Sequence, residues 1–486
     1  MTPGAAEVPS PTRTDPIARS LSERIGGPVG EHARPHPWLT PVRVLLAVFT
    51  VVAALSLVQK VPCMQTHWTN NEVRYSKMCY SDIPYLYLPR GMAEQSWPYS
   101  DTGGRYQVME YPVGISYFAW GTSLLTKLFA SGPSPQVRAA TPADDLLGLP
   151  GMVTEINTYF LVNAVLLLAF GLLATFFMAG AHRRRPWDAI GFAASPVLLL
   201  SGLVNWDMLA VACVAGAFWS WARGRPVLTG IFLGVGTATK LYPLFLFGAM
   251  LVVCVRRGQV SVFVKALAAG AVAWAVLNLP AMLTGFEQWK FFWSFNATRG
   301  PDLGSLWLMA SNLHHAASPD TVNLVSWLVF GAACIAVLVL GLLAEHPPRM
   351  AQLGFLIVTA FLIVNKVYSP QYVLWLLPLA VLARPRLRDL LIWQACEIFY
   401  FASVWFYLGG FTAAGTSGAT DPVYLWAIPI RVAGEIFLMT MVVRDILDPR
   451  RDPVRNGRTL AITPGGGTGQ PTTLSRRPSA DLDLVE

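Results

Sequence analysis

The chain has 486 residues, of which 54% are hydrophobic, 12% aromatic and only 13% charged, with a mean hydropathy of +0.46. A soluble globular chain carries about 25% charged residues to solvate its surface, so a soluble enzyme, a fibrous repeat and a disordered chain are excluded and a polytopic membrane protein is left. The net charge of +8 does not point to nucleic acid, because the positive residues fall in short clusters between apolar runs, the pattern of cytoplasmic loops.

Residues 1–42 hold Pro, Ser, Gly and scattered arginines (Arg13, Arg19, Arg24, Arg34) without an apolar period, which predicts a disordered cytoplasmic tail. The apolar run from Val44 to Val58 opens a membrane domain over 43–447. Gln59, Lys60 and Pro62 follow in place of a small-residue cleavage site, so the run reads as an uncleaved anchor that leaves the N-terminus in the cytoplasm.

The polar stretch 62–153 is then the first extracytoplasmic loop. Cys63 and Cys79 lie in it, where a disulfide can persist; the pair is either a bridge or two free thiols, and the bridge is the expectation. Cys213, Cys254, Cys334 and Cys396 fall in apolar spans, as small hydrophobes. The loop interleaves rings with charges: Asp82, Tyr85 and Tyr87, then Arg90, Trp97 and Tyr99, then Arg105, Tyr106, Glu110 and Tyr111. Rings pack on the apolar face of a pyranose while carboxylates accept from its hydroxyls, which suits a sugar site. An interfacial aromatic belt also explains the rings but needs no carboxylates. Asp82, flanked by Ile83 and aromatic residues, is the candidate base, since partial desolvation raises a carboxyl pKa; the same Ser-Asp-Ile-Pro sequence also fits a turn cap. Residues 114–130 are apolar enough to cross, but a crossing there would put Arg183, Arg184 and Arg185 outside. They are expected to lie in the outer interface.

Further apolar runs end at Arg183–Arg185, Arg223 and Arg225, Arg256 and Arg257, Arg349, Arg384 to Arg388, and Arg444 to Arg451. Each run of about 20 apolar residues crosses once, so the outward turns fall near Asn205–Asp207, Lys240–Pro243, 281–320 (the second extracytoplasmic loop), Asn365–Gln371 and 409–423. The sum is about 12 crossings, with both termini cytoplasmic and a second disordered tail at 448–486. A charge at a helix centre costs roughly 2.5–3.5 kcal/mol on insertion scales, so Asp207, Lys240 and Lys366, each at the outer end of a span, invite a task. Lysines there can hold a lipid phosphate or merely snorkel to the headgroups; convergence of several at one depth favours a site. Glu397 and Glu435 read as structural partners of Arg431. Arg299, His314 and His315 fall in the second loop, where one histidine could assist proton transfer. No third ligand at matched spacing accompanies the histidines, so neither a metal nor another cofactor is expected. Asp481, Asp483 and the run Gly465–Gly469 are set aside as tail sequence.

A cytoplasmic N-terminus, a first span and a long outer loop with an early Asp resemble the GT-C glycosyltransferases. Tyr111-Pro112 after Glu110, Asn205-Trp206-Asp207, Ala238 to Pro243, and Lys366 to Gln371 look most like the actinobacterial family 87 branch, which contains polyprenyl-phosphate-mannose-dependent α-mannosyltransferases. Ser305-Leu306-Trp307 is also similar to that branch, with Leu303-Gly304 where it usually has Asn-Gln. The resemblance covers about residues 40–447. It implies an all-α GT-C fold whose first extracytoplasmic loop carries interfacial helices. It implies transfer of a hexose, mannose above all, from a polyprenyl-phosphate donor to a cell-envelope glycan or glycolipid, on the extracytoplasmic side of the plasma membrane. Asp82 would be the base of one inverting displacement, with Glu110 beside it, and Lys240, Lys366 or Arg90 would hold the departing phosphate. Asp207, Tyr85, Asn205, Tyr242, Tyr368, Gln371 and His314 would contact sugar or acceptor. The competing class, a transporter or lipid-linked-sugar flippase, predicts inverted repeats and a site at mid-bilayer; no internal repeat is visible, and the polar groups gather on one side.

Overall fold

A computed structural model of the chain describes residues 38–182, 185–412 and 421–455. Most of both expected tails, Arg183 and Arg184, part of the 409–423 turn, Asp481, Asp483 and Gly465–Gly469 lie outside the described residues. Among the described residues every regular element is helical. Helix α1 (Pro41–Gln65) starts at Thr40, whose hydroxyl accepts from the Arg43 N–H, with Pro41 in the first turn where a missing N–H loses nothing. The first loop carries α2 (Val113–Thr126); then come α3 (Met152–Ala181) and a broken run of short turns over 186–201. The chain continues as α4 (Met208–Trp221), α5 (Pro226–Thr239), α6 (Leu246–Arg256) and α7 (Val260–Thr284). Helices α8 (Phe286–Thr298) and α9 (Leu306–Asn312) follow, then α10 (Pro319–Leu343), α11 (Met350–Val364), α12 (Val373–Ala383), α13 (Leu387–Leu408) and α14 (Pro422–Leu447).

Six of these, α1, α3, α7, α10, α13 and α14, are long and apolar enough to cross a membrane. Five more apolar helical stretches have 10–17 residues. A 14-residue helix is about 21 Å long, less than the roughly 30 Å of hydrocarbon core, so such helices need protein neighbours. They have them: α4, α11 and α12 are buried almost throughout. The chain is a multi-pass membrane protein built as a shell of long helices around shorter ones. Helix α2 has 14 residues; it packs on α3, where Tyr159 donates to the Ala119 carbonyl at 3.2 Å, and on α7, where Tyr117 donates to the Leu277 carbonyl at 2.9 Å.

Helices α5 and α7 touch backbone to backbone. A Cβ on Gly230 would sit 1.9 Å from the Ala266 carbonyl oxygen, and one on Gly234 would sit 2.2 Å from that of Gly270. Without a hydrophobic drive between helices in lipid, small residues that permit such contact supply the packing. Helix α5 then stops at Lys240, because Pro243 lacks the N–H to continue it.

The far end of the bundle corrects two expectations. Arg349 and Arg384 mark that face, but as buried clamps and not as solvated loop charges. Arg384, fully buried, holds Asp389 at 2.7 Å and also Asp445. Arg349 binds Asp452 at 3.0 Å and the Leu382 and Ala383 carbonyls at 2.6 Å each. The folded chain therefore runs past the expected boundary at 447, since Asp452 is itself fully buried.

The first loop is fastened to the bundle at two points. Cys63 and Cys79 form a disulfide with Cα atoms 5.7 Å apart, tying the end of α1 to the segment that precedes Asp82. Glu155, buried near the start of α3, takes Lys127, Arg138 and the Tyr87 hydroxyl, each at 2.5 Å.

Candidate functional site

A cavity of about 670 Å³ opens where the first loop meets the turns after α5, α8 and α11. Of the residues expected in a site, it brings together Asp82, Glu110, Lys240, Lys366 and Gln371. They come from four separate stretches of the chain.

Asp82 begins a single helical turn, Asp82–Tyr85, capped by Ser81, whose hydroxyl accepts from the Ile83 N–H. Both the cap and the candidate base of the two sequence readings are thus present, on adjacent residues. The Asp82 N–H donates to the Val204 carbonyl at 2.8 Å, docking the turn against the residue before Asn205. Three donors reach the carboxylate: Tyr80 OH at 2.6 Å on one oxygen, and Tyr111 OH at 3.1 Å and Asn205 Nδ2 at 2.7 Å on the other. Asn205 also donates to the Tyr111 hydroxyl at 2.8 Å, and its neighbour Trp206, fully buried, donates to Asn163 of α3 at 2.7 Å. Burial pushes the Asp82 carboxyl above its ordinary range, while the Tyr80 and Tyr111 hydroxyls and the Lys240 charge pull it partway back. The same burial, with the Asp82 charge next, drives the Tyr80 and Tyr111 hydroxyls well above 10, so both keep their protons and donate to Asp82.

Three cations, Lys240, Arg299 and Lys366, line the cavity with this carboxylate. Lys240, at the broken end of α5, lies 3.3 Å from Asp207 and 4.6 Å above the Tyr111 ring. Asp207 stands behind it, fully buried, with one oxygen accepting from Trp375 Nε1 at 2.8 Å and the other without a partner. Farther along the wall, Lys366 donates to Asn323 Oδ1 at 2.8 Å and, among the described residues, pairs with no carboxylate; Arg299 pairs with Asp302. Burial, and then the Arg299 charge, pushes the Lys366 ammonium below its usual range. An anion between the two would relieve that repulsion.

The rest of the lining is apolar and aromatic, with Phe292, Trp293 and Phe295 from α8, Trp327 and Phe330 from α10, and Phe361 from α11. Trp293 is 40% exposed and Trp327 57%, so the cavity reaches the outside of the bundle between α8 and α10.

A second hollow of about 1050 Å³ lies on the other side of Glu110 and Phe295, which line both. Arg90 belongs to this second hollow. It reaches Glu110 at 2.8 Å and so holds that carboxylate, which moves it away from the phosphate role expected for it. Tyr85 is here too, its hydroxyl spent on the Trp68 carbonyl and its ring beneath the Arg74 guanidinium at 4.0 Å.

Five expected contacts line neither hollow: Asn205 and Asp207 hold Asp82 and Lys240 from behind the wall, and Tyr242, Tyr368 and His314 lie elsewhere. Tyr242 is fully buried and stacks on Trp375 at 4.8 Å. Tyr368 is fully buried and donates to Glu397 at 3.0 Å. His314 sits exposed just after α9, with φ +63. The sequence by itself gives no individual role to Tyr80, Tyr111, Arg299, Asn323 or Trp375. Asn323 carried a signal, being a polar residue in the first turns of an apolar helix, and Arg299 closed an aromatic run; neither signal says which way a side chain points. Among the described residues no group of three His, Cys, Asp or Glu side chains is placed to hold a metal.

The family model described as Glycosyltransferase family 87 matches residues 146–365. That stretch contains Asn205, Asp207, Lys240, Arg299 and Asn323, and ends at Asn365. No curated protein matches the chain. Among solved structures, the chain is similar to ArnT from Cupriavidus metallidurans bound to undecaprenyl phosphate, at 17% identity over 86% of this chain and 75% of that one, with a TM-score of 0.43. That likeness is too distant to transfer the role of any residue.

Proposed function

We propose, for a chain whose residues 146–365 match the model of glycosyltransferase family 87, that it is a membrane glycosyltransferase with a specific reaction. It transfers a hexose, mannose in the first instance, from a polyprenyl-phosphate donor to a cell-envelope glycan or glycolipid. One observation carries the reading: a buried carboxylate and several cations share one cavity, and an aromatic slot leads from the cations to the outside of the bundle.

The donor lies with its prenyl chain in the slot between α8 and α10 and its phosphate against Lys366 and Arg299, within reach of Lys240. The acceptor comes through the second hollow, so that its hydroxyl arrives past Glu110. A carboxylate offers about four lone-pair sites, and three of those on Asp82 are taken; the fourth accepts the acceptor proton. As the O–H bond breaks, the acceptor oxygen bonds to the anomeric carbon from the face opposite the phosphate. The carbon–oxygen bond to the phosphate breaks, and its electron pair leaves on the polyprenyl phosphate, with inversion. The cations stabilise that developing charge in a site with little water to compete. Glu110, fixed by Arg90, orients sugar hydroxyls where the hollows meet. The active site faces the extracytoplasmic side, and both termini are cytoplasmic.

The test is transfer of radiolabelled mannose from a polyprenyl-phosphate donor to an envelope glycan fraction by the purified protein in lipid vesicles. Asp82→Asn should lower the rate by about 10²–10⁴, the usual weight of general-base catalysis, and leave donor binding in place. Normal transfer by that variant sinks the mechanism. Movement of intact donor across the vesicle with no new glycosidic bond would favour the flippase.

A further inference from the structure

Arg299, at the C-terminal end of α8, and Lys366, after α11, open segments that hold each other. The Asp302 N–H donates to the Lys366 carbonyl at 2.8 Å, and the Tyr368 N–H to the Leu303 carbonyl at 2.6 Å. Behind this pair of main-chain bonds lies a polar cluster that the reaction does not use. Arg431 of α14 is fully buried, paired with Glu435 at 2.8 Å, its guanidinium 3.6 Å over the Tyr368 ring. Its other arm donates to the Gly304 carbonyl at 3.2 Å. The Gly304 N–H donates to the Tyr424 hydroxyl at 2.7 Å, and the Tyr400 hydroxyl to the Tyr368 carbonyl at 2.6 Å.

A buried charge is expensive, and apolar residues of similar volume commonly stabilise a core at least as well. These groups differ from an ordinary ion pair in where their bonds go, since three of them end on the backbone of the two loops. The fit leaves no slack. Gly304 has φ +70, which disfavours a side chain, and a Cβ there would lie 2.2 Å from the Tyr400 hydroxyl and 2.5 Å from the Tyr368 carbonyl oxygen.

We propose that Arg431, Tyr400 and Tyr424 form a positioning unit that fixes the spacing of Arg299 and Lys366, and so sets how tightly the cavity grips the donor's phosphate; this rests on the reading of the site given above. None of the three touches the substrate, and their effect passes through the loops.

Tyr400→Phe and Tyr424→Phe each remove one oxygen and keep the ring; Gly304→Ala strains the junction directly. In the vesicle assay each should raise the KM for polyprenyl-phosphate mannose by roughly fivefold, the scale of one lost hydrogen bond, with kcat and acceptor KM within about twofold. Tyr400→Phe placed on Lys366→Gln should add less than about twofold, because the cation through which it acts is gone. Lys366→Gln and Arg299→Gln are the control. If neither changes donor KM, the phosphate site itself is misplaced and the positioning proposal falls with it. If they raise it while the two Phe variants leave it unchanged, only the positioning proposal is overturned. Losses spread equally over donor KM, acceptor KM and kcat also overturn it, as plain destabilisation. Should Gly304→Ala fail to fold, the Phe variants decide.

Discussion

Asp82 shows how one carboxylate can be both buried and usable. Burial alone would leave it protonated over much of the acid range, while two tyrosine hydroxyls, an asparagine and Lys240 favour its ionised form. Only the ionised form accepts a proton, so transfer should rise with pH as Asp82 ionises. Tyr111→Phe removes one of the groups that pull its pKa down, and the acidic limb of the kcat/KM profile should move to higher pH. A limb that stays put or moves to lower pH would count against Asp82 as the base. The stability sign is the opposite of the rate sign. A carboxyl raised in the folded state contributes stability that is fully present below its unfolded pKa, and that contribution is lost as pH rises through the folded one. The place of Asp82 in the cavity is legible in the sequence because Ile83 and aromatic residues flank this acid. The resemblance puts Tyr242 and Tyr368 in the site with the motifs that hold Lys240 and Lys366, yet neighbours in a turn need not share a face. Tyr368 faces inward to Glu397 and Tyr242 to Trp375.

At the scale of elements, the turns that build the cavity owe their position to helices that pack without side chains between them. Gly230 and Gly234 let α5 lie against α7, and α5 delivers Lys240. Gly234→Val would drive a side chain into the Gly270 carbonyl, so the helices must separate. The expected cost is about 1–3 kcal/mol, as for overpacking elsewhere, seen as a lower midpoint in thermal unfolding in detergent, with transfer reduced as Lys240 shifts. An unchanged midpoint would show that the pair has room to yield. The long helices could be read directly from hydropathy. The short ones were harder, because a buried apolar helix of 14 residues looks in sequence like a crossing that ends too soon, and only the packing of α4, α11 and α12 inside the shell explains their length.

At the scale of the molecule, the cavity gathers residues from positions 75 to 408 at one end of the bundle, while buried arginines lock the other. Asp452→Ala should leave Arg349 uncompensated inside the protein. The expected loss is about 3–5 kcal/mol, measured as a fall in the unfolding midpoint, and a variant as stable as the parent would mean that water reaches Arg349. The alternation of arginine-rich and polar turns made the two ends distinguishable from sequence. The clamps were not distinguishable, because Arg349 and the carboxylate that neutralises it stand 103 residues apart. That separation has a consequence for biosynthesis. At about 5–20 residues per second, the ribosome needs roughly 5–20 s after making Arg349 before Asp452 exists. Through that interval the guanidinium is a free positive charge beside a newly made apolar segment, the kind of charge that orients insertion. On that order of events, one residue would first present a charge to the membrane surface, and only later become the rivet that closes the finished bundle.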